Sequence, residues 1–101
     1  MPTPFTQQIF ALVASIPAGK VLSYGQIALL CGRPRASRIV GAAVANGPPG
    51  LPYHRVVYQD GSLCRPNVFG GPQLQRRRLE SEGVTFTADG RVRMELHRFQ
   101  P

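Results

Sequence analysis

Cysteine and acidic side chains are scarce in this 101-residue chain, and membrane-length apolar runs are missing altogether. Two cysteines, Cys31 and Cys64, are too few for a disulfide framework. Cys31 closes an apolar helical stretch and reads as a small buried hydrophobe, while Cys64 falls in a loop and reads as a reduced thiol. No ligand spacing relates this pair to His54 and His97, which argues against a zinc site, and nothing else in the chain calls for a metal or a cofactor. No apolar run approaches the ~20 residues that a spanning helix requires, so no membrane partner is expected. Met1-Pro2-Thr3-Pro4-Phe5 offers no basic stretch ahead of an apolar segment, so the expectation is a chain without a secretory signal, in the cytoplasm. Hydrophobic residues at 43% and charged residues at 17% exclude a disordered chain, and the length predicts one domain over residues 1–101 with one modest core.

The shortage of acid exposes an excess of base. Five Asp and Glu stand against twelve Lys and Arg, giving a net charge of +7 and a pI near 10.8. All of the basic residues except Lys20 are arginines. A planar, permanently charged guanidinium reads phosphates and stacks on bases better than an ammonium does. The balance points to nucleic acid as the partner; the competing reading is a positive surface kept only for solubility.

Along the chain, Thr3-Pro4 is a helix start, and Phe5, Ile9, Leu12, Val13 and Ile16 form one apolar stripe until Pro17-Ala18-Gly19 ends it. Val21-Leu22 reads as an extended link. Ser23 and Gln26 are spaced as a capping box for a short helix that buries Ile27, Leu30 and Cys31. After Gly32 and an Arg33-Pro34 turn, a helix is predicted over about 35–46. Short capped helix, glycine-bearing turn and second helix together read as a helix-turn-helix. Gly41, Ala42, Ala43 and Ala45 make the second helix narrow, either for close packing inside the fold or for approach to a groove. Val56-Val57-Tyr58 reads as a strand, Asp60-Gly61 as a turn, and 72–82 as a last helix with Leu74 and Leu79 inward and Gln73 and Gln75 on the surface. Alternation in Val92-Arg93-Met94-Glu95-Leu96, set against Val84-Thr85-Phe86 across Ala88-Asp89-Gly90, predicts a terminal hairpin or wing.

The centre of the sequence is Pro52-Tyr53-His54-Arg55-Val56-Val57. A histidine beside a nucleophile is a common way to generate a thiolate or alkoxide near neutral pH, and Glu82 is available to orient it. Tyr53 is a weak nucleophile with a reference pKa of about 10, better suited to stacking and hydrogen bonding. His54 has a second reading as a partner for buried backbone groups, and Arg55 is read as a carboxylate staple rather than a phosphate contact.

Four segments occur in a fixed order: Ser23-Tyr24-Gly25-Gln26, Ala36-Ser37-Arg38-Ile39-Val40-Gly41-Ala42-Ala43, the central motif, and Ser81-Glu82-Gly83. The set resembles the DNA-binding domain of O6-alkylguanine-DNA alkyltransferases over about residues 3–86. That family carries Pro-Cys-His-Arg-Val with the cysteine as alkyl acceptor. With Tyr53 at that position, the chain looks like the alkyltransferase-like branch, which usually has tryptophan there. Residues 71–84 look like that branch too.

The resemblance implies a mainly α fold with small β elements, of winged helix-turn-helix type. It implies a non-enzymatic sensor, without cofactor, that binds O6-alkylguanine in double-stranded DNA through the minor groove. Such a sensor flips the base and flags it for nucleotide excision repair proteins. Arg38 matches the arginine that fills the gap left by the flipped nucleotide, and Tyr24 the tyrosine that rotates the phosphate. Arg35, Ser37, Gly41 and Ala42 complete the implied DNA face. The lesion pocket would be built from Pro52, Tyr53, His54, Arg55, Val68, Phe69 and Gly70. Val68-Phe69-Gly70-Gly71 stands where the family has Tyr-Ser-Gly-Gly, so this wall would be more apolar. Asn46 matches the family only weakly. A monomer is expected. The rival readings are a generic or sequence-specific winged-helix DNA binder, and a residual alkyltransferase acting through Cys64 or Tyr53.

Overall fold

The stripe at Phe5, Ile9 and Val13 becomes the buried face of helix α1 (Pro4–Ser15) in the computed structural model, which describes residues 4–64 and 70–101. Pro4 stands at the start of the helix, where its missing N–H costs nothing. Thr3, the expected cap, lies outside the described residues. Ile16 is buried just beyond the helix.

The extended link becomes strand β1 (Leu22–Ser23), and β2 (Val56–Val57) lies parallel beside it, Leu22 opposite Val56 and Ser23 opposite Val57. Parallel neighbours need a long crossover. Here the crossover carries α2 (Tyr24–Leu30), α3 (Ser37–Ala45) and a 3₁₀ turn (Tyr53–Arg55). The strand period then divides the interior. Leu22 and Val56 join a core with Phe5, Ile9, Val13, Ile16, Ile27, Ala28, Val40 and Val44. Val21 and Val57 join a second one with Leu79, Val84, Val92 and Met94. The architecture is mainly helical with a two-stranded sheet.

Ser23 caps α2 as its spacing predicts: the Gln26 N–H donates to Ser23 Oγ at 3.0 Å. The inward face differs from the expectation. Ile27 and Ala28 are buried, whereas Leu30 is 48% exposed. Successive residues turn by about 100°, so a buried direction bisecting Ile27 and Ala28 also favours Cys31 and turns Leu30 aside. Helix α3 starts at Ser37 rather than at 35, after the turn closed by the Ala36 N–H on the Arg33 carbonyl at 3.0 Å.

The last helix, α4 (Pro72–Ser81), ends on Gly83, whose φ of 89° is the left-handed conformation that glycine adopts freely. Leu79 is buried and Leu74 half-buried. Gln75 corrects the expectation of polar surface: it is one of two buried polar side chains among the described residues, the other being Ser23. The predicted hairpin is present but short, framed by the Thr87 N–H on the Arg91 carbonyl at 2.7 Å and the Arg93 N–H on the Thr85 carbonyl at 3.1 Å. Phe86 and Val92 meet in a single antiparallel bridge, and Met94–His97 is a short helix, α5, rather than a strand. The chain around α5 pairs with Val21 instead. The Val21 N–H donates to the His97 carbonyl at 2.9 Å and the Phe99 N–H to the Val21 carbonyl at 2.8 Å. Val92 and Met94 still point inward, and Leu96 faces out. No helix of the described residues is long and apolar enough to cross a membrane.

Candidate nucleic-acid interface

Val40 and Val44 fasten α3 to the core, which commits its other side to solvent. There Ser37, Arg38, Gly41 and Ala45 line a cleft of about 570 Å³, closed on its far side by Tyr24, Gly25, Tyr58 and Gln59. A methyl group added at Gly41 would meet nothing within 4 Å. The small side chain is therefore not needed for packing within the fold, and it keeps the outer face of α3 low. Arg38 is exposed and forms no ion pair among the described residues. Arg35, in the turn before α3, and Ala42, on the helix, are exposed beside the cleft without lining it.

Tyr24 is the first residue of α2, fixed by the Ser23 cap directly before it. Its ring centroid lies 5.1 Å from that of Tyr58, tilted by 50°. Burial, followed by the neighbouring Tyr58 and Cys64, pushes the Tyr24 hydroxyl up to about 12. The group therefore stays protonated near neutral pH and keeps a proton to donate.

The central motif sits in the 3₁₀ turn ahead of β2. Tyr53 donates its hydroxyl to the Pro48 carbonyl at 2.5 Å, and burial raises its pKa further from the range where a phenolate forms. Behind it, Glu82 at the end of α4 gathers two partners. Arg55 Nε donates to Oε1 at 3.0 Å and Nη2 to Oε2 at 2.5 Å, while His54 Nε2 lies 3.1 Å from Oε2. The hydrogen bonds from Arg55 are the main reason the Glu82 carboxyl is held at about 2, with His54 adding to them against the opposing effect of burial. An ionised Glu82 only accepts, so His54 Nε2 carries the proton. Arg55 also donates from Nη1 to the Ile16 carbonyl at 2.7 Å, tying α1 to α4. It is a staple, as its chemistry suggested.

Gln75 holds the same turn from below. Its Nε2 donates to the His54 and Val56 carbonyls at 3.1 and 2.9 Å, and its Oε1 accepts from the Cys64 N–H at 2.7 Å. A cavity of about 280 Å³ opens over these residues, lined by Leu51, Tyr53, His54, Gln75 and Arg78.

Of the pocket residues named from the sequence, Tyr53 and His54 line this cavity. Pro52 leads into the 3₁₀ turn and Gly70 precedes α4; neither is a wall among the described residues, and Arg55 is turned to Glu82. Val68 and Phe69 lie outside the described residues. Sequence reasoning missed Tyr58 and Gln59 in the cleft and Leu51, Gln75 and Arg78 in the cavity. For Gln75 a signal existed, because it stands four residues before Leu79 and so shares its face of α4. Cys64 is buried, which raises its thiol pKa, and Cys31 is half-buried. Among the described residues no three His, Cys, Asp or Glu gather as a metal site.

Residues 4–84 match the family described as 6-O-methylguanine DNA methyltransferase, DNA binding domain. The DNA base-flipping protein of Escherichia coli (strain K12) is 40% identical over 99 residues, covering 94% of this chain and 74% of that protein. Alkyltransferase-like protein 1 of Schizosaccharomyces pombe is 36% identical over 96 residues, covering 91% of this chain and 89% of that protein. A crystal structure of S. pombe Atl1 in complex with damaged DNA containing O6-carboxymethylguanine matches with a TM-score of 0.81 at 34% identity, over 96% of this chain and 95% of that chain. With a helix-turn-helix cleft and a Tyr53-His54-Arg55 turn in one fold, and matches along nearly its whole length, the chain belongs to the family of 6-O-methylguanine DNA methyltransferase DNA-binding domains.

Proposed function

We propose that this chain is a non-enzymatic sensor of O6-alkylguanine in duplex DNA. It binds through the minor groove along α3, extrudes the damaged base with Tyr24 and Arg38, and lodges it over Tyr53. The observation that carries the reading is that Tyr24 and Arg38, on different helices, face each other across one cleft. A tyrosine there can engage a backbone phosphate while the guanidinium takes the place of the extruded base, offsetting an unstacking cost of a few kcal/mol. At the position of the family's acceptor cysteine, Tyr53 is a protonated phenol engaged with Pro48, and this supports recognition without transfer. The relatives named for base flipping, and the relative solved on damaged DNA, support the same reading.

The test is an equilibrium titration of one duplex with and without a single O6-methylguanine, at fixed salt because the phosphate contribution depends on it. The lesion duplex should bind at least about tenfold more tightly, ~1.4 kcal/mol, and Arg38→Ala should erase the difference. Equal binding to both duplexes would leave a generic or sequence-specific DNA binder. A covalent adduct found by mass spectrometry would reinstate alkyl transfer. In this reading the complex is then handed to nucleotide excision repair. Adding the protein should accelerate lesion incision by a reconstituted excision nuclease, and an unchanged incision rate would remove that step.

A further inference from the structure

We infer that Arg78 makes the cavity over Tyr53 selective for O6 adducts that carry negative charge, such as carboxymethyl, over neutral ones such as methyl. The inference rests on the lesion-sensing reading above and adds the chemical class of the preferred adduct.

The cavity walls differ sharply in what they can still offer a ligand. Leu51 is apolar. The Tyr53 hydroxyl is directed to the Pro48 carbonyl. Both ends of the Gln75 amide are occupied, by two carbonyls and the Cys64 N–H. His54 Nε2 is paired with Glu82. Arg78 remains. It lines the same cavity from the last turn of α4, is exposed, and forms no ion pair among the described residues. The nearby acids on this helix are committed elsewhere, Glu80 to Arg76 at 3.4 Å and Glu82 to Arg55 and His54. The Glu82 charge beneath the cavity is offset by Arg55, so no anion in the network opposes an incoming carboxylate.

A methyl group gains only dispersion contacts from such a wall. A carboxylate on the O6 substituent gains a charge-assisted hydrogen bond to a planar fork suited to it. Arginine at the mouth of the cavity therefore separates the two adduct classes, whereas the groove contacts of α3 treat them alike.

The experiment compares three duplexes of one sequence, carrying guanine, O6-methylguanine or O6-carboxymethylguanine, against the wild-type chain and its Arg78→Gln and Arg78→Lys variants at fixed salt. The wild-type chain should favour carboxymethyl over methyl by about tenfold. Arg78→Gln should reduce that ratio to near one, and Arg78→Lys should keep part of it. A wild-type ratio near one, or a ratio that survives Arg78→Gln, overturns the inference while lesion sensing stands. Equal weakening of all three duplexes by Arg78→Gln also overturns it, and makes Arg78 a phosphate contact. Loss of discrimination against plain guanine in the wild-type chain defeats the underlying reading instead.

Discussion

Replacing Gln75 by leucine is the sharpest test of how the 3₁₀ turn at Tyr53–Arg55 is held. The side chain is 1% exposed, and its amide is the only described side chain that links the 3₁₀ turn, β2 and the loop at Cys64. Leucine of similar size fills the space but leaves the Cys64 N–H and the His54 and Val56 carbonyls without that partner. Each lost bond removes about 1 kcal/mol net, and stranded buried groups add about 1–3 kcal/mol more. The total is about 3–5 kcal/mol, which lowers Tm by roughly 15 °C or more for a chain of this size. Urea unfolding followed by far-ultraviolet circular dichroism measures it, with an unchanged m value showing that two-state behaviour is kept. Gln75→Glu sharpens the test. It retains an acceptor for Cys64 but sets a carboxylate against two carbonyls, so it should cost at least as much as leucine. A loss below about 1 kcal/mol for both variants would refute the argument that this amide anchors the turn. At temperatures where Gln75→Leu remains folded, affinity for a lesion duplex should fall more than affinity for an undamaged one.

Two further outcomes follow from the same geometry. Glu82 is held at about 2 against an ordinary 4.5. A carboxyl depressed in the folded state contributes stability above pH ~4.5 that is lost as pH falls through about 2. At the partly solvated end of α4 this amounts to about 1–3 kcal/mol after screening. Unfolding free energies at pH 6 and pH 3 should differ by roughly half to two-thirds of that amount, because the folded carboxyl is still largely ionised at pH 3, and Glu82→Gln should flatten the dependence; an unaltered pH profile in the variant would place its cause elsewhere. At Gly41, where an added methyl group meets nothing, alanine should stabilise the free chain by about 0.5–1 kcal/mol through helix propensity. The same change should weaken duplex binding several-fold if α3 seats in a groove. Unchanged affinity would show that this face of α3 does not approach DNA closely.

What could be read from the sequence was local. The α1 stripe, the Ser23 cap and the glycine stop of α4 each depend on residues within one or two turns of each other. Partners distant in the chain were not legible. Nothing near Val21-Leu22 states that β1 will lie beside β2, some thirty residues later, because parallel pairing depends on the whole crossover packing correctly. The same limit explains α5: period-two alternation is compatible with a strand, and only the competing pairing of the flanking chain with Val21 decides against it. Gln75 failed differently. Its polarity outweighed its position, although the face it shares with Leu79 was visible in the spacing. In the site, Tyr24, Gly25, Ser37, Arg38 and Gly41 of the cleft were readable as motif members, while Tyr58, Gln59 and Arg78 became neighbours of these motifs only through tertiary packing.

The network around Glu82 brings acid, base and staple together beside Tyr53, a phenol rather than a thiol. Its contacts are structural. Arg55 joins Glu82 at the end of α4 to the Ile16 carbonyl after α1, so removing it would loosen both helices as well as the turn between them. His54 gives Glu82 a second donor, while its own carbonyl is held by Gln75. These bonds shape the 3₁₀ turn whatever residue occupies position 53. Tyr53 is in turn fitted to its surroundings. A methyl group on Gly47 would fall on the Tyr53 hydroxyl and come within 2.6 Å of the Phe10 ring, so this loop closes over the tyrosine only because Gly47 has no side chain. The hydroxyl then takes the Pro48 carbonyl from the same loop. A cysteine at position 53 is too short to reach the Pro48 carbonyl, and the loop would lose that hydrogen bond. The turn and loop are arranged around a bulky phenol, which gives the cavity beside it an aromatic wall.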